Sequence, residues 1–308
     1  MSIIFEFCAS QQQILETAVE VVMTDPAIRQ GEQTSFAKDC SDEQIVADVL
    51  AHAHYKQLAK TQGALYFSEE SLVDRPTRDQ LLAALSASRA EEQLVYVCDE
   101  IDGSSEFSRF GPMRSPLSTA IMAVQHGAVL AAVVGDIWSD EIYGLQAKDG
   151  KSPELCVRNI DRSQSRVLAV ADAKRHLKLP EAMLAGYAPS QKNSRIDLLW
   201  PLFSKAAYVH NNGGHLFALR IAASGSDKSY SCALELIPKE LTENIGPILA
   251  SAGGAVVTRL DGSPLGLNVL EKQTSVTAAS PALAKEVCEA LHDTYLRLNV
   301  PHRRPIKR

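Results

Sequence analysis

Apolar residues recur along this chain with two different periods, and the switches between them mark its elements. In residues 10–23, Ile14, Leu15, Ala18, Val21 and Val22 fall at helical spacing behind Ser10 as a cap. Ser41-Asp42-Glu43-Gln44 reads as a capping box that opens a second helix with the stripe Ile45, Val49, Leu50 and Ala53. The polar stretch 30–37 between them breaks periodicity and reads as a loop. Residues 64–67 predict a short strand and residues 78–88 a short helix. The run Leu-Val-Tyr-Val-Cys at 94–98 is β-branched and aromatic, the pattern of a buried strand. Runs 117–124 and 128–134 flank a His126-Gly127 turn and predict a hairpin, with a further strand at 141–145. The N-terminal half thus reads as two helices on a largely antiparallel meander.

Residues 148–165 are mostly polar and contain Gly150 and Pro153, which predicts a linker. It divides the chain into an α+β half, 1–150, and an α/β half, 151–308. In the second half, strands at 166–170, 229–236 and 255–258 alternate with helices at 196–206, 216–223 and 241–251. Pro201 is expected to interrupt the first of these helices. Ser280-Pro281 opens a terminal helix that runs to 298. This alternation predicts an α/β layer. The basic tail, 301–308, is expected to be solvated.

Composition narrows the function. Of 308 residues, 45% are hydrophobic and 22% charged, enough apolar surface for a sizeable core without staples. The 31 Lys and Arg against 37 Asp and Glu leave a net charge of −6, which disfavours a dedicated binder of nucleic acid polymers. Six cysteines are scattered without a CxxC pair, as expected of free thiols in a reducing compartment. The start, Met-Ser-Ile-Ile-Phe-Glu-Phe, lacks the basic region of a secretory signal. No apolar run approaches the ~20 residues of a membrane span. A cytoplasmic protein that does not engage a membrane is expected.

The candidate chemistry lies at strand ends. Asp99 and Asp102 leave the buried strand at its C-terminal end, where α/β layers place ligand sites. With the Ile101 carbonyl they form a hard oxygen set suited to Mg²⁺ or Mn²⁺ rather than zinc. The amides of Gly103, Ser104 and Ser105 could cradle an anion. Alone, this motif reads equally well as a solvated turn. A second acidic strand end, Ser68-Glu69-Glu70-Ser71, favours a site, because adjacent strands would bring the two ends together.

These segments resemble the inositol monophosphatase and fructose-1,6-bisphosphatase superfamily of Mg²⁺-dependent, lithium-sensitive phosphatases. The family carries Gly-Glu-Glu, then Asp-Pro-Ile-Asp-Gly-Thr with a downstream Phe, then a Trp-Asp-x-Ala-Ala-Gly helix leading to Ala-Gly-Gly. Here the counterparts are Ser68-Glu69-Glu70, then Asp99-Glu100-Ile101-Asp102-Gly103-Ser104 with Phe107, then Ala252-Gly253-Gly254 followed by Asp261-Gly262. The resemblance implies a layered α-β-α-β-α sandwich. It implies hydrolysis of a small sugar or polyol (inositol-like) phosphate by metal-activated water, with two or three Mg²⁺ ions or Mn²⁺ in their place. Glu69, Asp99, Ile101 and Asp102 would be metal ligands, and Glu69, Ser104 and Asp42 catalytic, with Asp39 the alternative to Asp42. Gly103, Ser104, Ser105, Gly214 and His215 would contact the substrate, a small-molecule phosphate ester; relatives are often homodimers. Two departures stand out. Glu100 replaces the family proline and is expected to add charge beside the site. The Trp-Asp pair is missing: counting back from Ala252 gives Leu241, so Glu240 is taken as the substitute ligand and Glu243 as its alternative. Fructose-1,6-bisphosphatase activity, 3′(2′),5′-bisphosphate nucleotidase activity and a non-catalytic binding or scaffold role with a degenerate site are the competing readings.

Overall fold

The computed structural model describes residues 8–9, 12, 46–68, 79, 83, 92–103, 117–139, 141–146, 152–159, 165–187, 199–210, 214–223, 229–269 and 271–299. The loop expected at 30–37 lies outside these residues, as do most of the helices expected at 10–23 and 78–88. The meander is present and longer than expected. Strands β1 (Leu65–Ser68), β2 (Val95–Asp102), β3 (Ser118–Gln125), β4 (Ala128–Asp136), β5 (Glu141–Gln146), β6 (Glu154–Asn159) and β7 (Ser165–Val167) lie side by side in chain order. The β1–β2 pair is parallel and the others are antiparallel. His126 and Gly127 both take positive φ, 52° and 67°, as a tight hairpin turn requires. The stretch expected to be a linker holds β6, which buries Leu155 and Val157 on one face. The first sheet therefore continues past residue 150.

Alternation sends the side chains of each central strand into two different cores. Val95 and Val97 of β2, Ala120 and Met122 of β3, and Ala132 and Val134 of β4 enter one. Tyr96 and Cys98, Ile121 and Ala123, and Ala131 and Val133 enter the other, against helix α1 (Val46–Gln62). Helix α1 seats Ala51, Tyr55 and Ala59 there, one residue per turn; Ala53, expected on this stripe, is exposed.

The second sheet has five strands in the order β11-β12-β10-β8-β9. These are β8 (Met183–Tyr187), β9 (Tyr208–His210), β10 (Cys232–Lys239), β11 (Val256–Thr258) and β12 (Gln273–Ala278). Helices α4 (His215–Ala223) and α5 (Ile245–Ala252) contribute Leu216, Leu219, Ile245 and Leu249 to the core that separates the two sheets. Helix α6 (Pro281–Asn299) covers the far face of the second sheet through Leu283, Val287 and Leu291. The order of layers is α1, first sheet, α4 with α5, second sheet, α6. Two short helices also lie among the described residues: α2 (Asp172–Arg175) and α3 (Trp200–Phe203). Pro201 sits in the first turn of α3, so it starts that helix instead of interrupting it. Ser280 caps α6 as expected, its Oγ accepting the Leu283 amide at 3.2 Å.

Lys174, on α2, is fully buried. Its ammonium donates to the carbonyls of Arg220 (3.4 Å) and Ile221 (2.9 Å), in the last turn of α4, and of Tyr230 (3.1 Å). A cation there satisfies carbonyls that a helix end leaves open. Cys8, Cys98, Cys156, Cys232 and Cys288 are free thiols. Among the described residues, no helix is long and apolar enough to cross a membrane.

Candidate active site

In a regular strand, residues three apart face opposite sides, so Asp99 and Asp102 could not meet. A bulge resolves this. Asp99 pairs with Ala120 and Asp102 with Ser118, so the β2 side spends one residue more than β3 between the two pairs. Both carboxylates thereby turn toward the central helix layer. Ile101 keeps its side chain in the core beneath α1. Gly103 follows with φ of 93°, a conformation that favours glycine.

Glu100 goes the other way. It is 1% exposed, and its Oε1 accepts from the Tyr66 hydroxyl at 2.6 Å and from His52 Nδ1 at 2.8 Å. The charge expected beside the site thus lies on the opposite face of β2, under α1. Burial and the Glu100 charge push the Tyr66 hydroxyl well above its ordinary pKa, so it stays a donor.

The N-terminus of α4 meets the two aspartates. The His215 amide donates to Asp102 Oδ2 at 2.7 Å, and Ser118 Oγ donates to the same oxygen at 3.2 Å. The preceding amide, of Gly214, donates to Glu235 Oε1 at 3.2 Å. Gly214 has φ of 105°, and a Cβ there would collide with the Asp102 carboxylate. His215 itself is wholly buried. Its Nδ1 accepts the Gly246 amide at 3.1 Å, which places the ring proton on Nε2, and Nε2 donates to Asp99 Oδ2 at 3.1 Å.

The third carboxylate comes from the turn before α5. Asp99, Asp102 and Glu243 each bring an oxygen within 4.8 Å of the others. Glu240, the expected substitute ligand, is not in this group. It is the N-cap of a 3₁₀ turn, Leu241–Asn244, with extended backbone, and its carboxylate pairs with Lys272 at the surface. Lys239 reaches Glu243 at 2.9 Å and offsets part of the cluster's charge.

Electrostatics reflect this crowding. Burial, with Glu243 and Asp102 adding to it, raises the Asp99 pKa to about 7 against the His215 hydrogen bond that lowers it. Burial raises Asp102 as well. Glu235 is carried up to about 8 by burial and by Glu243. Burial lowers the His215 pKa and Asp102 and Asp99 raise it, while the Gly246 amide, which needs the lone pair on Nδ1, opposes the charged ring. These are the displacements expected of carboxylates that share one space with too little positive charge.

No protein-family model matches the chain, and no curated protein matches it. Solved structures do. The Thermotoga maritima IMPase superposes with a TM-score of 0.68 at 14% identity, over 95% of this chain and 99% of that one. Inositol monophosphatase-II of Staphylococcus aureus gives 0.65 at 15% identity, over 96% of both chains. An IMPase/NADP phosphatase in complex with NADP and Ca²⁺ gives 0.60 at 14%, over 92% and 91%.

The chain has the inositol monophosphatase fold.

On the inositol monophosphatase fold, the positions expected from sequence separate into three groups. Asp99 and Asp102 are brought together, with Gly103 directly after them and Gly214 against Asp102. Glu240 stands apart. His215, expected to contact substrate, is enclosed and spends both ring nitrogens on protein groups. Glu69, Ser104, Ser105, Asp42 and Asp39 lie outside the described residues. Glu235, Ser118 and Gly246 were not expected. Gly246 is required by close approach, since a Cβ there would come within 2.5 Å of the His215 Cα.

Proposed function

We propose that this chain is a Mg²⁺-dependent phosphate monoester hydrolase that acts on a small sugar or polyol phosphate. The observation that carries the reading is the convergence of Asp99, Asp102 and Glu243 at a strand end of an inositol monophosphatase fold. The residues fit a divalent ion. The donors are all carboxylate oxygens, which suit Mg²⁺ or Mn²⁺, and their raised pKa values are what a missing positive charge would produce. Asp99, Asp102 and Glu243 would hold the ion, joined by the Ile101 carbonyl and by Glu69. Mg²⁺, when bound, supplies charge against the phosphoryl oxygens and a more acidic water.

The chain's own groups do the rest. The bulge in β2 presents two carboxylates to one point. The amides of Gly103, Ser104 and Ser105 hold the phosphate oxygens, and the Ser104 hydroxyl with Glu69 orients the attacking water. Asp42 stands by as a further acid. A nucleotide substrate is the second reading. Staphylococcus aureus IMPase-II has been solved with inositol monophosphate and with 2′-AMP, and the NADP phosphatase neighbour with NADP.

The test is phosphate release from a panel of sugar phosphates, inositol monophosphate, fructose 1,6-bisphosphate, 2′-AMP and 3′-phosphonucleotides. Release that requires Mg²⁺ and stops with a chelator is the expected result. No release from any member of the panel would overturn the reading in favour of a non-catalytic binding role.

A further inference from the structure

The cluster draws its acids from two elements, β2 and the turn before α5. One side chain from a third element touches both. His215 opens α4. Its Nε2 donates to Asp99 on β2, and it reaches the Glu243 turn through α5, which directly follows it: Nδ1 accepts from Gly246, in the first turn of α5 and three residues beyond Glu243. Its own amide holds Asp102.

Burying an imidazole is costly unless both nitrogens are paired, and here they are. An apolar residue at this position would start α4 equally well. It would leave the Gly246 amide and one Asp99 oxygen without their partner inside the protein. Gly246 is also the residue that lets α5 approach the His215 backbone.

We propose that His215 is the positioning residue of this centre, fixing the orientation and separation of Asp99 and Asp102, and their distance from the Glu243 turn, before a cation arrives. The proposal rests on the reading that these carboxylates hold a divalent ion. The ring acts through the carboxylates and touches neither ion nor substrate. It works in its Nε2–H form, because the Gly246 amide needs the lone pair on Nδ1.

Calorimetric titration with Mg²⁺ tests it, without any substrate. His215→Ala should weaken Mg²⁺ binding by roughly ten- to a hundredfold, the usual loss when a group that orients a ligand is removed. His215→Gln, whose side-chain amide can still donate to Asp99, should recover most of that loss. In the Mg²⁺-loaded wild type, ¹⁵N chemical shifts should report a ring protonated on Nε2 and bare on Nδ1. The ring measurement decides the matter if His215→Ala does not fold. Wild-type Mg²⁺ affinity in His215→Ala, or a proton on Nδ1 in the loaded protein, would overturn the proposal while leaving phosphatase activity in place. Weakened binding in His215→Ala with no turnover of any substrate by the wild type would uphold it and overturn the hydrolase reading. A wild type that binds no Mg²⁺ overturns both.

Discussion

Asp99 and Glu100 are adjacent in sequence, both buried, and opposite in design. Glu100 faces α1, where one oxygen takes two donors, Tyr66 and His52. Its Oε1 is answered by the protein, while its Oε2 is buried without a hydrogen-bond partner. Asp99 faces the central helix layer, where two further carboxylates crowd it, His215 gives it one hydrogen bond and Lys239 pairs with Glu243. Its pKa is carried up to about 7 as a result. The contrast separates a buried acid that completes a fold from a buried acid that awaits a ligand. Burial is common to both; the number of donors aimed at each is not.

The largest expected effect breaks the functional side alone. Asp99→Asn keeps the shape and the His215 contact but removes a shared ligand charge. It should lower kcat by about 10³-fold or more, ~4 kcal/mol of barrier, with the fold intact by circular dichroism. Wild-type turnover at saturating Mg²⁺ would end the assignment of Asp99 as a ligand. The mirror experiment is Glu100→Ala. It removes the acceptor shared by the Tyr66 hydroxyl and His52 Nδ1, leaves them only each other at 3.3 Å, and should cost about 1–2 kcal/mol of stability, seen as a lower Tm. Mg²⁺ affinity should stay near wild type. Loss of metal binding with unchanged Tm would show that the two faces of β2 are not separate.

A smaller effect sharpens the comparison through pH. Asp99 and Glu235 have folded-state pKa values of about 7 and about 8, above the ordinary carboxylate range of ~4. Between these limits the folded chain holds more protons than the unfolded chain. Stability from these groups is therefore full below about pH 4 and is lost as pH rises toward about 8. Without metal, Tm should fall across that window by a few degrees, and the rise in Tm on adding Mg²⁺ should be greater at pH 8 than at pH 5. A Tm gain from Mg²⁺ that does not grow with pH would count against the crowded cluster.

Much of this was legible in the chain, and what was not has identifiable causes. The apolar alternation marked β2 to β5, and Asp99 with Asp102 stood out as acids after a buried run. The bulge that makes them converge left no mark in the sequence, because it is a property of pairing with β3. Residues 273–278 carry one valine and one alanine among polar residues and offered no apolar run, yet β12 lies between two strands and under helices, with all six residues buried. The choice between Glu240 and Glu243 turned on helix type. An α-helical count starting from Leu241 misplaces both, whereas the chain makes a 3₁₀ turn with Glu240 outside it as the cap. Glu243 is the one acid between Glu240 and Asp261, and that isolation was the available signal. His215 announced itself only as an unusual residue after a glycine pair, and its partners come from strands and turns far away in sequence.

Helix α4 is held at both ends by groups of the polarity its peptide dipoles call for. Asp102 and Glu235 take the amides at its start, and the Lys174 ammonium takes carbonyls in its last turn. Nine residues make a rod of roughly 13 Å. A rod clamped in this way slides only if an acid anchor or the lysine anchor gives way. The aspartates are thereby insulated from motion at the surface, and on the proposed reading an arriving ion would have to adapt to the gap it finds. Selectivity among cations by size is then a property of the helix mounting as much as of the ligands themselves.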